Sequence, residues 1–285
     1  MAFNNRHDTY AQRPRIIRGR KVQVSHVYKP WRTTANLPLK AVTGIGSRNI
    51  IGVPVDEQAR MDCQALDMLL AESVRCRQAV YAVVAIMGTT EHGSVDPLSK
   101  ILALRRKYQT RGLSFIVHAD AAWGGYFASM LVPNPASAGR ESHLDDPLLF
   151  INPHTEKELQ HLRFADSITI DPHKSGYTPF PAGALCYRDG RLRYMVTWTS
   201  PSIGSVEEGA MKMGIYGIEG RYVRMGFILR ELQTHSFISK PGAAPVAAWL
   251  GHEVIGLHKG GFGFLLGQSV FTSTKVSFVI PLAAS

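Results

Sequence analysis

The chain is poor in cysteine. Cys63, Cys76 and Cys186 are the only three in 285 residues, and their spacing fits neither a metal knuckle nor a disulfide framework, so a stapled extracellular scaffold is excluded and a reducing compartment is expected. Long apolar runs are also missing. No stretch reaches the length of a membrane-crossing helix, and the basic, polar start lacks the apolar core of a secretory leader. A soluble cytoplasmic protein without a membrane partner is the expectation. There is no acidic excess either, since 32 Lys and Arg stand against 22 Asp and Glu, a formal net charge of +10. The location of that charge matters more than its size. Residues 1–40 hold nine Lys or Arg against Asp8 alone, and residues 221–238 hold Arg221, Arg224 and Arg230 against Glu231. The remainder sums to zero, so a nucleic-acid partner is not expected.

Hydrophobic residues make up 45% of the chain, enough to bury the core of one large domain or two small ones. Two β-branched runs end on chemically capable groups. Phe115-Ile116-Val117-His118-Ala119 leads to Asp120, then to the small residues Ala121, Ala122, Gly124 and Gly125. Ser167-Ile168-Thr169-Ile170 leads into Asp171-Pro172-His173-Lys174-Ser175-Gly176-Tyr177, a tight loop carrying a lysine. In α/β proteins the residues just after a strand point into a shared crevice. A lysine amine able to hold an aldehyde as an imine, a carboxylate to keep a pyridine nitrogen protonated, and donors for a phosphate are what pyridoxal phosphate requires. Taken singly, such a lysine is more often a solvated charge, and such an aspartate a cap or turn residue.

Together the motifs resemble those of the pyridoxal-phosphate-dependent amino-acid decarboxylases of the aromatic amino acid and glutamate decarboxylase group. The resemblance covers roughly residues 41–220 and 239–267. It implies an α/β fold: the large domain of the fold-type-I aminotransferases, a mostly parallel sheet flanked by helices, here incomplete at both ends. It also implies pyridoxal 5'-phosphate as cofactor, an L-amino acid as substrate, loss of its α-carboxylate as the reaction, and a homodimer. The His-x-Asp-Ala-Ala motif makes Asp120 the pyridine-nitrogen partner and Ala122 the small residue under the ring. Pro-His-Lys makes Lys174 the Schiff-base lysine with His173 beside it. Gly88-Thr89-Thr90 matches a turn that brings Thr90 near the ring substituents, and Ser167 matches a phosphate contact. Lys21 to His26 resembles the strand before a ring-stacking histidine, so His26 is a candidate to cover the cofactor, with a surface histidine as the equal alternative. Another fold-type-I lyase, or a catalytically incompetent fragment of the family, would share Asp120 and Lys174.

The expected layout is a basic, disordered lead over 1–22, a cofactor-binding domain over 23–267, and an unassigned tail over 268–285. Gly44-Ile45-Gly46 reads as a turn entering a strand over 49–56. Residues 57–75 have helical spacing, with Leu66, Met68, Leu69 and Leu70 as a buried stripe. Ala79 to Met87 reads as a strand covered on both faces. Asp96 is the expected N-cap of a helix with Pro97 in its first position, leading to a strand over 114–119 through a right-handed crossover. Residues 131–162 read as a surface excursion, 183–187 as a strand and 243–257 as a helix.

Arg221 to Ile238 interrupts the family's Gly-Ser-Lys-Pro-Gly-Ala-Ala pattern, which resumes at Ser239. Arg221-Tyr222-Val223 can be encoded by a splice donor and Ile238-Ser239 by an acceptor, so the segment is expected to be an intron translated in frame. Sequencing of cDNA should show a main transcript in which Gly220 is joined directly to a serine codon. A main transcript retaining the segment would overturn this.

Overall fold

The computed structural model describes residues 20–21, 49–135, 151–179, 181–191, 197–198, 216–217 and 243–283. The chain divides into two compact units, one of residues 1–124 and 152–166, the other of residues 125–151 and 167–285. The expected insertion at 221–238 and the strand leading to His26, beyond Lys21, lie outside the described residues.

In the first unit, β1 (Arg20–Lys21) pairs in parallel with β2 (Ala79–Val80). Helix α1 (Cys63–Arg75) starts where the Asp62 carboxylate accepts the Gln64 and Ala65 N–H groups, an N-cap that satisfies two orphan donors. Its buried stripe is Ala65, Leu66, Leu70 and Ser73. Met68, expected in that stripe, is 68% exposed. The helix begins later than its spacing suggests, and the polar run before Met61 forms a turn closed by the Asp56 carboxylate on the Gln58 and Arg60 N–H groups. The strand expected at residues 49–56 is reduced to an isolated bridge between Val55 and Met61.

Strand β3 (Ala82–Ile86) runs parallel to β4 (Ile116–Asp120), and helix α2 (Leu98–Gln109) makes the crossover between them. Both strands alternate in burial: Val83, Ala85, Val117 and Ala119 are fully buried while their neighbours are half-buried or, like Ile116, exposed. The continuous apolar run of 79–87 is therefore covered more completely on one face than on the other. Helix α2 contacts α1 and β4, placing Leu98, Ile101 and Leu102 in the core.

Asp96 does not act as the expected side-chain N-cap. It is fully buried, its Oδ1 accepting from the Met61 N–H at 2.7 Å and its Oδ2 from the Ile86 N–H at 2.8 Å. Pro97 holds the cap position without a side-chain bond. The orphan donor at the start of α2 is satisfied by Glu158, which lies on α3 (Pro153–Gln160) and accepts from the Ser99 N–H at 2.6 Å and the Ser99 hydroxyl at 2.8 Å. That helix falls inside the stretch read as a surface excursion. Its Pro at the first position and its Asn152 cap are the start signals, yet only Glu158 and Leu159 are buried, too few for a recognisable period. Arg105 of α2 pairs with Asp166, whose Oδ2 also accepts from the Val117 N–H.

The second unit holds β5 (Ser167–Ile170) and β6 (Ala184–Tyr187), which are antiparallel. Strand pairing in the chain is thus mixed. The 171–183 connection is folded into turns and is too short for the helical crossover that a parallel partner needs. A second antiparallel pair joins β7 (Thr197–Trp198) to β8 (Tyr216–Gly217). Helices α4 (Ala243–Ile255) and α5 (Phe262–Ala283) follow, and α5 continues through the position where the tail was expected to begin. The unit's core is Tyr126, Met130, Phe262 and Leu266, with Phe127, Ile151 and Ile170 packed on it. Among the described residues, no helix is long and apolar enough to cross a membrane.

Burial pushes the Asp96 carboxyl from 3.8 up to about 7, against the pull of its two N–H donors. The folded protein then binds this proton more tightly than the unfolded chain does. Its contribution to stability is full below about pH 4 and is lost as pH rises to about 7. Asp96→Ala leaves two buried N–H groups unpaired, at about 1–3 kcal/mol each. Urea unfolding of the variant should show a loss of about 3 kcal/mol and a flattened pH dependence between pH 4 and 7; a loss under about 0.5 kcal/mol, the range of an ordinary surface change, would contradict this role.

Candidate active site

Asp120 is the last residue of β4, and the geometry around it is set by how little room its turn has. The Asp120 carbonyl accepts the Met87 N–H at 2.8 Å, and its Oδ1 accepts the Ala122 N–H at 3.2 Å. The carboxylate is partly exposed, and its Oδ2 has no hydrogen-bond partner among the described residues. Gly124 lies against Met87 so closely that a Cβ there would overlap the Met87 carbonyl oxygen. Gly88, at φ +109°, faces the Gly124 backbone, with its own notional Cβ 3.2 Å from the Gly124 nitrogen. Glycine is required at both positions, the first for space and the second for conformation as well. The small residues singled out in the sequence thus draw the Gly88 turn and the Asp120 turn together within the first unit.

Thr89 and Thr90 differ in what they do. Thr89 Oγ1 lies 2.9 Å from the Ser94 hydroxyl and accepts the Ser94 N–H at 3.1 Å, closing the turn, whereas Thr90 is exposed. Ala122 is half-buried beside Asp120, and Trp123 is 42% exposed.

Lys174 lies in the second unit, in the turn after β5. Its Nζ is 2.9 Å from Asp171 Oδ2, and the two side chains are 36% and 16% exposed. The turn is closed by the Lys174 N–H on the Asp171 carbonyl, the Tyr177 N–H on the Lys174 carbonyl and the Thr178 N–H on the Pro172 carbonyl. Tyr177 adopts φ +53°, a left-handed conformation that costs a tyrosine about 1 kcal/mol or more. His173 turns its Nδ1 to the backbone of Ala182, close to both the carbonyl oxygen and the N–H. Its ring is exposed at the surface of the loop, so its observed work is to tie the two ends of the 171–183 connection together. Ser167 opens β5 opposite Tyr187. His26 lies outside the described residues.

Two residues near Lys174 were not singled out by sequence. Asp171 stands in the same stretch, three positions before the lysine, a spacing that a tight turn brings face to face. Gly176 is pressed against Tyr126, with a notional Cβ 2.5 Å from Tyr126 Cζ and 2.7 Å from the Pro172 carbonyl oxygen. No local signal joins Gly176 to a residue 50 positions earlier. Among the described residues, no cluster of His, Cys, Asp and Glu could hold a metal ion.

The family model described as the pyridoxal-dependent decarboxylase conserved domain matches residues 32–137. The L-tyrosine decarboxylase of Enterococcus faecium is 33% identical over 239 residues, which are 80% of this chain and 36% of that enzyme. Among solved structures, mouse CSAD superposes with a TM-score of 0.60 at 20% identity, over 97% of this chain and 47% of that one. Oryza sativa TDC with PLP and tryptamine gives 0.59 at 16% identity, over 87% of this chain and 41% of that one. These likenesses show the fold, the fold-type-I architecture expected from the sequence. The chain spans little more than a third of the length of the curated relatives it matches, at 36%. By its matched domain and its relatives, the chain belongs to the pyridoxal-dependent decarboxylase family.

Proposed function

We propose that this chain carries the cofactor-binding core of an enzyme that removes the α-carboxylate of an L-amino acid with the help of pyridoxal 5'-phosphate. The observation that carries the reading is that its one motif lysine follows β5 in a turn where the amine lies 2.9 Å from Asp171 in an ion pair it can leave. The residues present fit the group. Lys174 supplies a partly exposed amine, Asp120 a carboxylate with one oxygen unengaged among the described residues, and the glycines at 88 and 124 the close turn packing that fixes Asp120.

When bound, pyridoxal phosphate supplies an aldehyde that an amine can hold and a ring that takes up the electron pair released with carbon dioxide. The chain's own residues do the rest. Lys174 would hold the aldehyde through its Nζ. Asp120 would hold a proton on the ring nitrogen through its Oδ2, unengaged among the described residues, the Oδ1 being fixed by the Ala122 N–H. Ala122 presents only a methyl group, leaving a flat face for the ring. Ser167 would donate to the phosphate and Thr90 to a ring substituent, while His173 would shape the loop and His26 would cover the ring. An aromatic substrate is favoured by the tyrosine-specific name of the relative at 33% identity.

The same reading has the enzyme act in the cytoplasm as a homodimer. Supporting the first is the presence of free cysteines at all three positions. Supporting the second are apolar side chains left open in a single chain, Val254 at 80%, Leu250 at 47% and Phe271 at 44%.

The test is borohydride reduction of the purified protein with pyridoxal phosphate, followed by peptide mapping. The reduced adduct should map to Lys174 and disappear in Lys174→Ala. Asp120→Asn should retain the adduct and lose carbon dioxide release by roughly 10²-fold or more, the scale of removing one preorganised stabiliser of developing charge. Adducts scattered over surface lysines in the wild type, or wild-type turnover in Asp120→Asn, would defeat the proposal.

A further inference from the structure

Lys174 can work only if its turn is held in place, and within the second unit the Gly176 end of the turn rests on an aromatic ring. Tyr126 is 5% exposed. Its ring edge lies directly under Gly176, two residues from the lysine, where no side chain larger than hydrogen fits. The ring is itself fixed from the other side. Tyr126 Oη is 2.8 Å from His252 Nε2 on α4, and the Tyr126 and Phe262 centroids are 5.2 Å apart at 58°. His252 and Phe262 complete the enclosure at 6.1 Å and 78°. Such tilted contacts are the favoured geometry for rings, and a buried hydroxyl in their midst must find a partner. His252 is the partner here. A second fastening runs from the strained Tyr177, whose hydroxyl lies 3.2 Å from Ser269 Oγ on α5.

We infer that Tyr126 and His252 are positioning residues for Lys174: the hydrogen bond between them fixes the ring on which the Gly176 end of the lysine turn is seated. The inference rests on the cofactor role proposed for Lys174. Neither residue reaches the amine. Burial pushes the Tyr126 hydroxyl up to about 12 and lowers His252, so both partners are neutral around pH 7 and the bond is one between uncharged groups. Removing it leaves the ring volume in place but frees the ring to shift, and a displacement of 1 Å at a reacting group is worth about 100-fold in rate. The effect should therefore appear at Lys174 before it appears in the melting temperature.

Two readouts separate this inference from the reading it rests on. The first uses no cofactor: acetylation of Lys174 by sulfosuccinimidyl acetate, followed by mass spectrometry and normalised to Lys107, which is ion-paired in the other unit. Tyr126→Phe and His252→Leu should each change the relative rate at Lys174 by about fivefold or more, the double variant no further, and His252→Gln, which keeps a bonding partner, should restore most of it. The second is the rate of borohydride-trapped loading of pyridoxal phosphate at Lys174, expected to fall about tenfold in Tyr126→Phe and His252→Leu. Failure of the wild type to load at Lys174 would remove the proposed function, and the acetylation series would still decide the positioning role. Relative acetylation of Lys174 within twofold of wild type in both single variants would overturn the inference, as would changes that track only the unfolded fraction seen in parallel melts.

Discussion

A buried carboxyl group held by two backbone N–H donors sets the first unit. Asp96 joins three pieces of chain: the Met61 end of the loop before α1, the Ile86 end of β3, and its own position at the start of α2. Desolvation alone would expel such a group, and two backbone donors keep it in place. The consequence reaches beyond local stability. Because the end of β3 is fixed, the Met87 N–H can donate to the Asp120 carbonyl, and the Gly88 turn meets Gly124 with no space to spare. The position of Asp120 is thus an outcome of the strand ends, and those ends are an outcome of Asp96.

The second unit solves the same problem differently. There a loop rather than a strand end must be held, and the means are a ring, a hydroxyl and a strained backbone. Gly176 on Tyr126, His173 on Ala182 and Tyr177 on Ser269 fasten the turn at three points, while the lysine they surround pairs with Asp171. The strain at Tyr177 fits this pattern, since left-handed conformations at non-glycine residues persist only where the surroundings over-determine them.

Much of this was legible in the sequence where the signal was local. Asp120 at a strand end, Lys174 in a turn and the glycines at 88 and 124 follow from β-branched runs and small residues in short windows, and the structure holds each at the kind of place its neighbours indicated. What was not legible is what depends on pairs far apart in sequence. Asp96 before Pro97 has the pattern of a cap, and only the proximity of Met61 and Ile86 gives it other work. Glu158 caps α2 from 59 residues away, so neither helix alone announces the bond. Met68 failed for a related reason: four apolar residues in five positions wrap too far around a helix for all to be buried, and the face that packs on α2 leaves it outside.

The partition between the two units carries a consequence for chemistry. Asp120 and Thr90 belong to one and Lys174, His173 and Ser167 to the other, and the contacts named above for Asp120 and for the lysine turn each lie within their own unit. A substitution at Asp96 perturbs the first set and one at Tyr126 the second. The strand ends of the first unit and the seat of the lysine turn in the second can therefore be altered one at a time.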